Sequence, residues 1–363
     1  MKSTLQKAVL SICAVLVFGL LLGTQASAAD KPFYQGKTLR LIVDYSAGGP
    51  TDIECRIYAR HLKNHLPGNP TIVIQNRAGG GGNLAMNWIY ERARRNGTIM
   101  GCQTASGRYT EWFVGDPKKA GLRANMEEII PVMFTPVYSV GVARTDLDPP
   151  LKKPADLKNV KSFNVGGFRA DSAKDLKFRT LFELAGVNFK YVTGYQGSAD
   201  LLSAFLRGEL DYIDGSTPFY IPRVKPIAVD KGTAVPLWHG GDQQIPAIAP
   251  GVPARDFVKL LSGKEPSGPL WQLFQVHTSY RQILAPPGVP QAAVDAIRAA
   301  FTSMNKDPAF RAEYEKSVGV EPNMVTTAKG IEKAMVPWKT AGDELKKFRA
   351  DYIEQGRKLA AKK

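Results

Sequence analysis

Three observations predict an α/β fold of two doubly wound domains. Short β-branched apolar runs alternate with helical-period segments, glycine-rich turns separate them, and the chain is long enough for two ordinary domains. Thr38-Leu-Arg-Leu-Ile-Val43 reads as a buried strand and Ser46-Ala-Gly-Gly-Pro-Thr-Asp52 as a turn-rich loop. Ile53, Ile57, Leu62 and Leu66 then recur at helical spacing, with Thr51 or Asp52 as the expected N-cap and Pro67-Gly68 as terminator. Thr71 to Ile74 repeats the strand, Asn76-Arg-Ala-Gly-Gly-Gly-Gly82 the loop, and Asn83 to Arg95 the helix. A third strand is expected over Thr98 to Cys102, with Gln103 to Arg108 as the polar loop behind it. Such alternation implies parallel sheets with helices on both faces.

The N-terminus carries a different pattern. Lys2 and Lys7 precede an apolar run from Ala8 to Leu22, and Ala26-Ser27-Ala28 supplies small residues for cleavage. The run is shorter than the roughly 20 residues that a membrane span needs, so it reads as an export signal ending at Ala28, with an uncleaved anchor as the alternative. Cys13 lies inside the run and is not read as a lipid-bearing residue. Removing the two lysines from the formal +15 leaves about +13 on the mature chain. Export argues against nucleic acid as the partner of that charge, and basic side chains scattered over a solvated surface explain it most simply. Cys55 and Cys102 are too few for a disulfide scaffold. Two buried thiols are the first reading, and one bridge is the alternative that an oxidising compartment allows.

In an open α/β sheet, ligands bind outside the carboxyl ends of the strands. The three loops above fall at that edge. Gly48-Gly49 and the tetraglycine Gly79 to Gly82 let backbone approach a ligand, and each leads into a helix whose free N–H groups suit an anion.

Tyr45-Ser-Ala-Gly-Gly-Pro-Thr-Asp52 resembles the aromatic-x-x-Gly-Gly-x-x-Asp loop of the tripartite tricarboxylate transporter solute receptors, the Bug family. Asn76-Arg77 with its glycines, Asn96-Gly97-Thr98, Tyr195-Gln-Gly with Gly208 and Asp211, and Leu284-Ala-Pro-Pro-Gly-Val-Pro290 are similar to its later segments, in the same order. The resemblance implies a periplasmic-binding-protein-like receptor that delivers a small carboxylate to membrane permease subunits, as a monomer and without a cofactor or metal. It implies a first domain of residues 29–144 plus 278–363, a second of residues 145–277, and a two-crossing hinge. The implied ligand contacts from the first domain are Tyr45, Ser46, Ala47, Gly48, Gly49, Asp52, Thr104, Ala105 and Ser106. Those from the second are Gly167, Phe168, Ser172, Tyr195, Gly197 and Ser198.

Departures from the family pattern add candidates. Gly166-Gly-Phe-Arg-Ala-Asp-Ser172 lacks the histidine usual there and adds Arg169; Ala78 replaces a common proline. Arg169 and Arg108 are read first as solvent-facing, with bidentate pairing to a carboxylate as the alternative. Asp214, just beyond a short predicted strand, can line the cleft. The proline-bearing stretch from Gly240 to His277 reads as an irregular insertion.

Catalytic readings find no support. There is no G-x-S-x-G, no phosphate-binding G-x-x-x-x-G-K-[ST] and no H-E-x-x-H. His61 and His65 stand four apart, a metal-compatible spacing, but read as a solvated helix face. An exported enzyme or a sensor partner on the same scaffold is the alternative function.

Overall fold

A computed structural model describes residues 31–277 and 279–361, so the expected export signal lies outside the described residues. The first βαβ series is β1 (Thr38–Val43), α1 (Pro50–His65), β2 (Thr71–Asn76), α2 (Asn83–Arg92), β3 (Ile99–Thr104) and α3 (Ser106–Phe113). β1 is flanked by β2 and β3 in parallel register. Leu41, Ile42 and Val43 are fully buried, as a strand covered on both faces requires.

β4 (Ile130–Val137) and β5 (Ser139–Arg144) are separated only by Tyr138 yet lie in different sheets. The first sheet has the order β2-β1-β3-β11-β4, where β11 is Ser279–Ala285. The second has the order β10-β9-β5-β8-β6-β7. Its elements are β6 (Asn164–Gly166), α4 (Ala173–Ala185), β7 (Lys190–Val192), α5 (Ser198–Leu206), β8 (Tyr212–Ser216), β9 (Ala234–His239) and β10 (Val252–Pro253).

Several expectations are corrected. The first crossing between the sheets falls at Tyr138 rather than after Arg144, because Ser139–Arg144 pairs with β8 and β9. The sheets are not wholly parallel. β5 runs antiparallel to β8 and β9, and β11 antiparallel to β3 and β4. Both strands follow a crossing and enter their sheet without a crossover helix, so nothing turns them round to run with their neighbours. The stretch from Gly240 to His277 is no irregular insertion. It holds α6 (Ala254–Ser262) and α7 (Gly268–Val276), both packed on α4. Its prolines mark helix starts: Pro253 is the N-cap of α6 and Pro269 lies in the first turn of α7.

Four helices follow β11: α8 (Gln291–Met304), α9 (Pro308–Val318), α10 (Ala328–Lys339) and α11 (Asp343–Ala361). α8 and α9 cover one face of the first sheet with α1, where Tyr58 stacks with Tyr314 at 6.1 Å and meets Phe301 edge-on at 5.7 Å. α2, α3 and α10 cover the other face, with Tyr109 stacked on Trp338 at 5.2 Å. α11 reaches the second sheet. The Arg179 guanidinium on α4 donates to the Tyr352 carbonyl at 2.9 Å and lies over its ring. The C-terminal segment therefore joins both lobes and is a third connection beyond the expected two-crossing hinge. Cys55 of α1 and Cys102 of β3 form a disulfide with a Cα separation of 6.1 Å, so the alternative reading of the two thiols holds.

Candidate ligand cleft

The carboxyl ends of β1, β2 and β3 carry the loops of the candidate site in the first lobe. α1 begins at Pro50, with Gly49 rather than Thr51 or Asp52 as N-cap and no side chain capping it. The first-turn N–H groups of Thr51 and Asp52 have no preceding helical carbonyl to bind. Above them, Tyr45, Ser46, Ala47 and Gly48 are exposed. Asp52 is buried and turned inward. It accepts the Gly48 N–H at 2.8 Å, Arg56 Nε at 2.8 Å and Asn76 Nδ2 at 3.0 Å. Burial raises its pKa, but the bonds from Arg56, Gly48 and Asn76 outweigh that and hold it below the usual carboxylate value. Asp52 thus braces the loop, and its charge is already matched by Arg56.

Asn76 also donates to the Tyr45 carbonyl at 2.8 Å, and the Tyr45 hydroxyl donates to the Gly81 carbonyl at 3.1 Å. The Thr51 and Thr104 hydroxyls lie 3.2 Å apart, tying the first loop to the third. Gln103 and Thr104 prove to be strand, and Ser106 and Arg108 the start of α3, so the expected polar loop is confined to Ala105. Ala105 and Ser106 are buried.

Under these loops lie two buried ion pairs. Arg108 is neither solvent-facing nor a free clamp. Its guanidinium pairs with Asp44 and donates to the Thr104 carbonyl at 2.7 Å. Gly82 packs directly on it, with no room for a Cβ. Arg281 of β11 bonds Glu54 at 2.9 Å, Thr51 Oγ1 at 2.8 Å and Thr104 Oγ1 at 2.6 Å. Tyr58 and Tyr314 donate to the same Glu54 carboxylate at 2.5 and 2.9 Å. Burial disfavours the Arg281 charge, but Glu54 and Asp44 more than restore it. Sequence reasoning missed this floor; its one signal is a lone acid, Glu54, within the apolar stripe of α1.

The second lobe presents Gly167, Phe168 and Arg169 after β6, Tyr195 to Gly197 before α5, and Ser198 at its start. The Gly194 N–H donates to the Phe168 carbonyl at 3.0 Å, which holds the two segments together. Gly197 is the N-cap of α5 and Ser198 its first residue. Ser172 is a helix cap: its hydroxyl accepts the Asp175 N–H at 3.1 Å. Arg169 is half exposed, its Nε bonded to Asp171 at 2.6 Å, and its Nη2 stands 3.0 Å from where a Cβ on Gly81 would lie. It therefore meets the first lobe across the cleft. Nearby, α1 packs against the short helix Thr217–Phe219 that follows β8.

Behind Phe168 lies a buried charged cluster, also missed from sequence. Asp214 pairs with Lys174 at 2.5 Å, and Lys174 approaches Asp175 at 3.5 Å. Burial raises the Asp214 pKa against the pull of Lys174. Lys177 donates to Ser139 Oγ, and burial pushes its pKa down to about 8. His61 and His65 are not a solvated face: they contact Glu313 at 2.6 Å and Asp307 at 2.9 Å. Among the described residues no three metal-ligating side chains cluster.

No protein-family model matches the chain. A UPF0065 protein of Cupriavidus necator is 26% identical over 310 residues, 84% of each chain. BugT of Bordetella pertussis is 40% identical over 86 residues, 23% of this chain and 26% of the relative. The chain is thus similar to UPF0065 and Bug-named proteins. Two solved structures share its fold. The periplasmic binding protein BugD matches at 18% identity with a TM-score of 0.62, over 89% of this chain and 97% of that one. A Rhodopseudomonas palustris protein with adipate matches at 19% identity and 0.67, over 86% and 97%.

Proposed function

We propose that the chain is a periplasmic receptor that closes its two α/β lobes on a small organic carboxylate and delivers it, as a monomer, to a tripartite tricarboxylate-type permease. The observation that carries this reading is the start of α1. Its helix N-terminus has no side-chain cap, the one acidic residue of its first turn is turned inward onto Arg56, and an exposed Ser46–Gly48 loop stands above it. The positive end of the helix is therefore free to meet an external anion. The adipate held by the R. palustris neighbour supports the same class of ligand. In this reading the lobes are the two sheets with their helices, hinged at Tyr138 and between α7 and β11.

Scanning fluorimetry with a panel of aliphatic and aromatic carboxylates tests it. A ligand at a hundred times its Kd adds about 2.7 kcal/mol to the folded state, a rise of several degrees in Tm. A flat response to the whole panel at millimolar concentration overturns the proposal. Co-purification with permease subunits tests the delivery step separately.

A further inference from the structure

We infer that Arg281 is a positioning residue for the candidate site, a buried fork that holds the first turn of α1 against the end of β3 and thereby sets the affinity for a carboxylate. The inference rests on the carboxylate reading above and deepens it, by naming what shapes the site from beneath. Arg281 is the third residue of β11, the strand on which the chain returns to the first sheet. Its side chain is buried, and its Nη1 donates to Thr51 Oγ1 at 2.8 Å and to Thr104 Oγ1 at 2.6 Å. Thr51 stands in the first turn of α1, behind the Ser46–Gly48 loop, and Thr104 is the last residue of β3, next to Ala105. One nitrogen therefore spans two of the segments that make the candidate site.

A guanidinium carries its N–H donors in a planar fork and has no acceptor. The Nε edge is taken by Glu54 at 2.9 Å, and the other oxygen of that carboxylate accepts from Tyr58 and Tyr314. Glu54 is thus fixed and the guanidinium plane with it, which aims Nη1 at the two hydroxyls. The third segment is tied to β11 by its backbone as well, where the Ala105 N–H donates to the Tyr280 carbonyl at 2.8 Å. The Cys55–Cys102 disulfide joins α1 to β3 one turn further from the loop, so the first turn itself depends on Arg281. A buried ion pair is no gain in itself over apolar packing. Its use here is geometric, since a binding site must keep its donors within about 0.5 Å of the productive arrangement.

Isothermal titration of wild type and variants with succinate, adipate and benzoate tests this, with Tm measured beside it. Thr51 is the decisive probe, because it is buried and its hydroxyl is bonded to Arg281 and lies 3.2 Å from that of Thr104. Thr51→Val keeps the shape and removes the acceptor, and is expected to weaken binding about tenfold or more. Thr51→Ser restores the acceptor and should bind within about threefold of wild type. Arg281→Lys keeps a charge beside Glu54 but replaces the fork by a point donor, and is also expected to cost about tenfold. Because both changes act through one contact, Arg281→Lys/Thr51→Val should bind no worse than the poorer single variant. Wild-type affinity in Arg281→Lys or in Thr51→Val overturns the inference and leaves Arg281 a role in the fold alone. Additive losses in the double variant, or no recovery in Thr51→Ser, overturn it too. If Arg281→Lys does not fold, the two Thr51 variants decide by themselves. Wild type that binds none of the three acids removes the underlying reading, and the inference with it.

Discussion

At Gly48 the backbone sits at φ +77 with open space around it, so a side chain there strains the turn without striking a neighbour. Gly36 has the same character, φ +69 and nothing nearby, but precedes β1 at the end opposite the cleft. Placing valine at either site costs about 1–2 kcal/mol for a left-handed residue. We expect Gly48→Val and Gly36→Val to lower Tm comparably, and only Gly48→Val to weaken carboxylate binding, by about tenfold or more. Equal affinities in the two variants would move the site away from this loop. Arg108 and Arg169 separate in the opposite sense. Arg108 is buried on Asp44, and removing one member of a buried pair costs about 3–5 kcal/mol. Arg108→Ala should therefore unfold at markedly lower denaturant concentration. Arg169 is half exposed at the rim, so Arg169→Ala should leave the denaturant midpoint within error. Chemical denaturation of the pair decides both.

The elements differ in how plainly the sequence announces them. β1, α1 and β2 follow apolar periods of two and 3.6, and the Gly48-Gly49 and Gly79–Gly82 turns are marked by residues that tolerate positive φ, so the backbone half of the candidate cleft was legible. β5 was not, because Val137-Tyr138-Ser139 is one continuous extended run and nothing local says that the sheet changes at Tyr138. α6 and α7 were hidden by prolines that act as breakers inside a helix but stand at the N-cap or in the first turn here. The charged half of the site was illegible for another reason: Asp44 and Arg108 are 64 residues apart, Glu54 and Arg281 are 227 apart, and each alone looks like a solvated charge. The disulfide shows the same limit. Cys55 and Cys102 close a loop of 47 residues and tie α1 to β3, the elements that carry the Ser46–Asp52 and Thr104–Ser106 segments. Replacing both by serine should lower the unfolding free energy by about 2–4 kcal/mol, and guanidinium titration of oxidised protein against that variant measures it. A difference below about 0.5 kcal/mol would mean that the bridge constrains the unfolded chain little.

Across the whole molecule, the two sheets are joined at Tyr138, between α7 and β11, and through α11, and the end of α7 places a titratable group in a dry environment. His277 is fully buried at the end of α7, and its Nδ1 lies 2.7 Å from the Leu273 carbonyl, so this nitrogen carries the proton of a neutral ring. Burial first, and then the positive charges of Arg349 and Lys177, push its pKa down to about 3. An unfolded histidine takes up a proton near pH 6.5, whereas the folded one does so only near its depressed value. Between those limits the unfolded state binds more protons, so stability falls as pH falls, by up to about 1.4 kcal/mol per pH unit below 6 for this one group. His239, pushed down to about 4 by burial, adds to the same slope, and carboxylates contribute below pH 5. The contribution of His277 is therefore read as a difference. His277→Gln keeps a hydrogen-bond donor but does not titrate, so its urea midpoint should fall less steeply than that of wild type from pH 6.5 to 5. Parallel midpoints across that range would mean that His277 is hydrated or already charged in the folded protein.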